Sequence, residues 1–184
     1  MGMKYARWER ERRFLLAGPP ADPTGPAAHI HDRYLTGTRL RLRLVRRSGE
    51  PVVRKLGQKI REPGSSPPAV AHTSLYLDEA EYAALAGLPA AELTKTRTLL
   101  QWDGPELAVD VFTGRLAGLV LAEYDLAGDD PTDDGPTGHG SADPVGWPPV
   151  PVLAEVTGDE RFTGGALART SAAELHQLLA DYRP

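Results

Sequence analysis

The run Arg39-Leu40-Arg41-Leu42-Arg43-Leu44 constrains this chain more than any other stretch. Strict alternation of a charged and an apolar residue reads as a β-strand, because successive strand side chains point to opposite sides of a sheet. Leu40, Leu42 and Leu44 must bury against a core, whereas Arg39, Arg41 and Arg43 stand one strand repeat apart, roughly 6–7 Å, on the other side. Three guanidiniums in a row repel one another, so this face calls for an anion.

The stretch Trp8–Leu16 has the complementary pattern. As a strand it places Glu9, Glu11 and Arg13 on one face and Trp8, Arg10, Arg12, Phe14 and Leu16 on the other. Carboxylates one repeat apart raise each other's pKa unless positive charge sits between them, and a divalent cation does this best. The same nine residues also fit a solvated edge strand of mixed charge.

Further strands repeat the theme. Expected strands lie at 28–35, 52–60, near 72–77, and at 93–100, 107–112, 119–126 and 151–157. They bring Lys55 and Lys59, which share parity and compete for one role, then Lys95 and Arg97, Asp110, the pair Glu123 and Asp125, and Glu155. Gly57 makes a bulge possible between the two lysines. Asp78 with Glu81 and Ser171 with Glu174 have capping-box spacing, which predicts helices at 79–86 and 171–182, the second with an apolar stripe of Leu175, Leu178, Leu179 and Tyr182. Segments 18–28, 62–70 and 128–149 are rich in Pro and Gly and are expected to be flexible loops; the last is acidic and is assigned no chemistry.

Length and composition narrow the partners. A chain of 184 residues suits one domain with a real core, and a net charge of −4 argues against a general nucleic-acid or membrane surface. The absence of cysteine rules out disulfides and zinc-thiolate sites. The start of the chain has no signal-type apolar region and no run reaches membrane length, so a soluble, cytoplasmic protein is expected, as a monomer or homodimer.

Acid and base are thus segregated onto different strands, where an ordinary solvated face mixes them. A sheet of about eight such strands, curled with its charged faces inward, encloses a lumen with cations on one wall and carboxylates on another. Like charges in low dielectric repel strongly, so the lumen implies ligands of both signs. A polyphosphate with a divalent metal satisfies both.

Six ordered blocks resemble the CYTH domain, or triphosphate tunnel metalloenzymes. They are Glu9-Arg10-Glu11-Arg12-Arg13, Arg39-Leu40-Arg41-Leu42-Arg43, Lys95-Thr96-Arg97, Val109-Asp110-Val111-Phe112 with Gly114, Gly118 to Leu126, and Glu155-Val156-Thr157-Gly158-Asp159 with Arg161-Phe162. The resemblance implies a mainly β, α+β fold, an antiparallel eight-stranded tunnel with peripheral helices. It implies hydrolysis of tripolyphosphate, a nucleoside triphosphate or thiamine triphosphate, with adenylyl cyclase activity in one branch and a triphosphate-binding protein of little turnover as further alternatives.

On this reading Arg13, Arg39, Arg41, Arg43, Lys59, Lys95 and Arg97 hold phosphate oxygens. Glu9, Glu11, Glu123, Asp125 and Glu155 hold Mg²⁺ or Mn²⁺, and the catalytic set is Glu9, Glu11, Lys59, Glu123 and Asp125. Asp110 is a supporting group, and Arg161 either lines the tunnel or pairs with Asp159. Three departures stand out: Arg13 replaces the motif's lysine, His72-Thr73-Ser74 replaces an acidic strand, and Ala108 replaces an acid. His29 and His31 are expected at the surface, His139 and His176 are incidental, His72 is a candidate for the lumen, and Trp8 and Trp102 are expected in packing roles.

Overall fold

Residues 6–21, 25–61, 69–101, 106–126 and 147–182 are described in the computed structural model, and the alternating segments among them form strands. In chain order these are β1 (Arg7–Leu16), β2 (Ala28–Leu35), β3 (Leu40–Arg47), β4 (Val53–Arg61), β5 (Ala69–Tyr76), β6 (Ala90–Leu100), β7 (Leu107–Phe112), β8 (Val120–Leu126) and β9 (Val152–Glu155). Helix α1 (Glu79–Ala86) joins β5 to β6, and α2 (Gly164–Leu167) and α3 (Ala172–Ala180) follow β9.

The first eight strands make a closed antiparallel barrel, ordered β1-β5-β4-β3-β2-β6-β7-β8 and back to β1. Closure depends on β1, which is long enough to pair with β5 through Arg7–Arg10 and with β8 through Arg10–Leu15. Ala69 and Val70, expected in a loop, are strand residues because they pair with Arg10 and Glu9 and complete the ring. Strand β9 is not a stave. It joins β1 at Phe14–Leu16, beyond the part that β5 covers. Of the other expected loops, residues 22–24 and 128–146 lie outside the described residues, as do 62–68, Trp102 and His139.

No bulge interrupts the register of β4 with β3 or β5, so Gly57 is an ordinary ladder residue opposite Arg41 and Ser74. Lys55 and Lys59 therefore keep one parity, and only Lys59 lines the cavity; Lys55 lies over the Tyr76 ring, 4.7 Å from its centroid.

Two apolar clusters set the barrel's shape. Phe14, Leu16, Val109, Val120, Ala122 and Tyr124 form an outer core on β1, β7 and β8, against which Val150 and Val152 pack. Inside, Leu15, Leu93, Phe112 and Leu121 meet Phe162, Leu167, Leu175, Leu178 and Leu179, so the segment carrying α2 and α3 plugs part of one end. Each fully buried leucine is worth about 2 kcal/mol. Helix α3 starts at the Ser171 cap, whose side chain accepts from the Glu174 amide while Glu174 reaches back, and its expected stripe faces this cluster. Helix α1 has the corresponding Asp78–Glu81 box, buries no residue and packs on β3 and β4.

Candidate functional site

The barrel encloses a cavity of about 800 Å³, and the inward parity of each strand decides what lines it. From β1 come Glu9, Glu11 and Arg13; from β3 and the residue before it Arg39, Arg41 and Arg43; from β4 Lys59; from β6 Lys95 and Arg97; from β8 Glu123 and Asp125. Residues separated by more than one hundred positions in sequence thus face one space.

The side chains form a continuous ionic network. The Lys59 ammonium sits between the first two carboxylates, 2.9 Å from Glu9 and hydrogen-bonded to Glu11. Arg13 donates to Glu11 at 3.0 Å and to Glu123 at 3.1 Å, so the guanidinium that replaces the motif's lysine bridges two acids. Arg97 also bonds Glu123 and grips Asp110 with Nε and one terminal nitrogen, each at 2.7 Å. Lys95 reaches the same aspartate at 2.5 Å. Asp110 does not line the cavity; it is 2 % exposed and lies behind the two cations that it holds.

Charge and burial shift these groups in opposite directions. Burial works to raise the Glu9 pKa, but the hydrogen bonds and charges of His72 and Lys59 outweigh it and leave the group at about 2. Burial opposes ionisation of Glu123 too, yet Arg97 and Arg13 hold it well below the carboxylate range. Asp125 behaves otherwise. Burial and the negative charges of Glu11 and Glu9 push it up to about 6, and it has no hydrogen-bonded partner among the described residues. Burial also lowers the Lys95 ammonium, with Arg97 pressing the same way against the pull of Asp110.

A second buried aspartate mirrors Asp110. Asp32 on β2 is 1 % exposed and takes Arg43 on both oxygens, at 2.6 and 2.7 Å, while Arg41 stands 3.8 Å away. Arg43, Arg41 and Lys95 hold it below its ordinary pKa against the cost of burial. Arg41 Nε is buried and has no hydrogen-bond partner among the described residues.

Compared by sequence, the chain matches no family model and no curated protein. Compared by structure, it is similar to the inorganic triphosphatase NE1496, with 25 % identity and a TM-score of 0.51 over 88 % of this chain and 95 % of that one. The chain has the CYTH, or triphosphate tunnel, fold. A second crystal structure of NE1496 gives the same TM-score at 22 % identity, over 89 % of this chain and 99 % of that one.

The tunnel of this chain differs from the sequence expectation at Glu155. Glu155 does not line the cavity. It pairs in register with Phe14, an outward residue, so its carboxylate lies outside and meets Arg12 at 2.7 Å and Thr157 at 2.7 Å. Arg161, expected either to line the tunnel or to pair with Asp159, does the second, at 2.6 Å, and lies near Tyr182. His72, a candidate for the lumen, does line it, and the tunnel also gains residues that the motifs did not name. His72 contacts Glu9 at 2.6 Å through Nδ1, and Tyr34, Arg61, Glu106, Glu160 and Arg169 line the wall. Asp32 was legible through its parity with Ile30 and Tyr34, which face the same side of β2. His31 and His29 are on the outer side, against Glu92 and Thr96.

Among the described residues no three carboxylates or histidines converge on one point as a ready metal cage. The place between Glu9 and Glu11 is filled by the Lys59 ammonium, and Asp125, paired in register with Glu11, has its pKa raised by burial and by the charges of Glu11 and Glu9 against the pull of Lys59. Hard carboxylate oxygens of this kind are the donors that Mg²⁺ and Mn²⁺ prefer.

Proposed function

We propose that this protein is a divalent-metal-dependent triphosphatase that hydrolyses a linear triphosphate inside the tunnel. The observation that carries the reading is the segregation of charge within one cavity: Arg41, Arg43, Lys95 and Arg97 on β3 and β6, and Glu9, Glu11, Glu123 and Asp125 on β1 and β8. The structural neighbour that is an inorganic triphosphatase supports it.

The chain's own residues bind and orient. Arg41, whose buried Nε lacks a partner, and Arg39 are the cations nearest to free for phosphate oxygens, and guanidiniums suit these because their fork matches two oxygens at once. Arg43 and Arg97 are held rigid by Asp32 and Asp110, so their remaining N–H groups are preorganised at no cost when the substrate arrives. Lys59 exchanges Glu9 and Glu11 for a phosphoryl oxygen, which leaves these two carboxylates and Asp125 to hold Mg²⁺ or Mn²⁺, with Glu123 beside them. The metal supplies positive charge against the phosphate oxygens and makes a nearby water more acidic.

No side chain needs to act as nucleophile. A water oxygen attacks the terminal phosphorus and its proton passes to a phosphate oxygen, the bridging P–O bond breaks, and orthophosphate leaves with diphosphate or its ester as the second product. Arg13 holds Glu11 and Glu123 in place and, always protonated, takes no proton in this scheme. A panel of tripolyphosphate, ATP and thiamine triphosphate, each with Mg²⁺, Mn²⁺ or EDTA, tests the reading. Metal-dependent phosphate release from one of them supports it and names the substrate. Tight binding without release, or cyclic AMP from ATP, overturns it.

A further inference from the structure

The cations that line the tunnel fall into two groups. Arg13, Arg43, Lys59, Lys95 and Arg97 each meet a carboxylate at hydrogen-bond distance. They share the interior with Glu9, Glu11, Asp32, Asp110, Glu123 and Asp125, so the interior carries no surplus positive charge. Arg39, Arg41, Arg61 and Arg169 also line the tunnel, and among the described residues none of them has a carboxylate within hydrogen-bond distance. The nearest approach is Arg41 to Asp32, at 3.8 Å.

These four arginines gather at one end. Arg39 precedes β3 and Arg61 ends β4, which antiparallel pairing puts at the same end of the barrel. Arg41 is paired in register with Tyr34 on one side and Gly57 on the other. Arg169 closes the ring: a Cβ built on Gly165 would lie 3.6 Å from its guanidinium and 3.6 Å from the Tyr34 ring. The opposite end of the lining carries Leu99, Glu106, Ala108 and Asp125, which are apolar or acidic. Among the described residues the tunnel therefore has one cationic mouth, and its net attraction for a polyanion resides there.

We propose that this mouth is an outer anion subsite for linear polyphosphate, in which Arg61 and Arg169 hold phosphoryl groups of the chain beyond the three bound inside. The proposal rests on the triphosphatase reading for what occupies the interior, but the subsite itself requires only binding. A chain of phosphates presents an unbroken row of oxygens with no base, and among the described residues the mouth offers nothing to stack one: of the aromatic lining residues, Tyr124 is 2 % exposed and Tyr34 packs on the core. The overall charge of −4 likewise disfavours nucleic acid.

Equilibrium binding in EDTA, so that no turnover intervenes, compares tripolyphosphate, a linear polyphosphate several times longer, and a single-stranded RNA. For the native protein the long chain binds about tenfold tighter than tripolyphosphate, with a steeper salt dependence. The double variant Arg61→Ala, Arg169→Ala removes this advantage and flattens the salt dependence, and Arg61→Lys, Arg169→Lys restores most of both. Both arginines are exposed, and an unchanged thermal unfolding curve shows that each variant is folded. Equal affinity for the two phosphates in the native protein, an equal loss for both in the alanine variant, or RNA binding as tight as polyphosphate overturns the subsite. Absence of phosphate release with Mg²⁺ sinks the triphosphatase reading instead and leaves these binding results intact.

Discussion

Arg43 lies against Asp32 with two parallel hydrogen bonds of 2.6 and 2.7 Å, inside a wall where the aspartate is 1 % exposed. A bidentate pair of this kind fixes a guanidinium in direction as well as in charge. Replacing Asp32 by Asn leaves Arg43 and Arg41 as buried cations without a counterion. Breaking a buried pair from one side costs about 3 kcal/mol, so Asp32→Asn lowers the unfolding free energy by that order in urea titration. An unchanged midpoint would show that Arg43 is solvated rather than clamped.

The titration of Asp125 has a sign that is easily checked. Its folded pKa, about 6, lies above the unfolded value of 3.8, so the folded state binds this proton more tightly and stability falls as pH rises through that window. Asp125→Asn is therefore more thermostable than the native protein at pH 7 in EDTA, and the difference disappears toward pH 4. Glu9 runs the other way: its pKa of about 2 against 4.5 contributes stability above pH 4.5 that is lost as the pH falls toward 2, and Glu9→Gln removes that part of the acid transition.

Two adjacent glycines divide sharply. A Cβ on Gly164 would sit 1.9 Å from the Tyr34 hydroxyl, whereas one on Gly165 meets nothing closer than 3.6 Å. Gly164→Ala must displace the tyrosine that flanks Arg41 and costs about 2 kcal/mol of stability together with triphosphate affinity. Gly165→Ala is tolerated in both assays.

Glu155 offers a contrast with Glu9. Its carboxylate pairs with Arg12 outside the barrel, so Glu155→Gln retains metal-dependent phosphate release to within about twofold, as surface ion pairs contribute little. Loss of metal dependence in that variant would return Glu155 to the tunnel.

Parity explains why so much of this arrangement could be read from the chain. Arg39, Arg41, Arg43, Glu9, Glu11, Lys95 and Arg97 follow strict two-residue alternation, and a strand must then put each set on one face. Arg169 escaped because it stands alone among residues of another kind, and a single charge has no period, whereas Asp32 could be placed by its parity with Ile30 and Tyr34 and His72 was already a candidate for the lumen. Glu155 misled for a different reason. It follows apolar residues in strand-like order, but β9 attaches where β5 no longer covers β1, so its face is fixed by pairing with Phe14 and not by the lumen. The division of cations into paired and unpaired members was also hidden, since it depends on which acids the closed ring brings near.

The rate of phosphate release from tripolyphosphate with Mg²⁺, native protein against Glu9→Gln, decides whether this tunnel is a metal-dependent triphosphatase. With Glu9 as a proposed metal ligand, release is abolished by EDTA and reduced by about a hundredfold or more in the variant, because transition-state charge stabilisation is lost with the carboxylate. Equal release by the two proteins, or none by the native one, would contradict this reading.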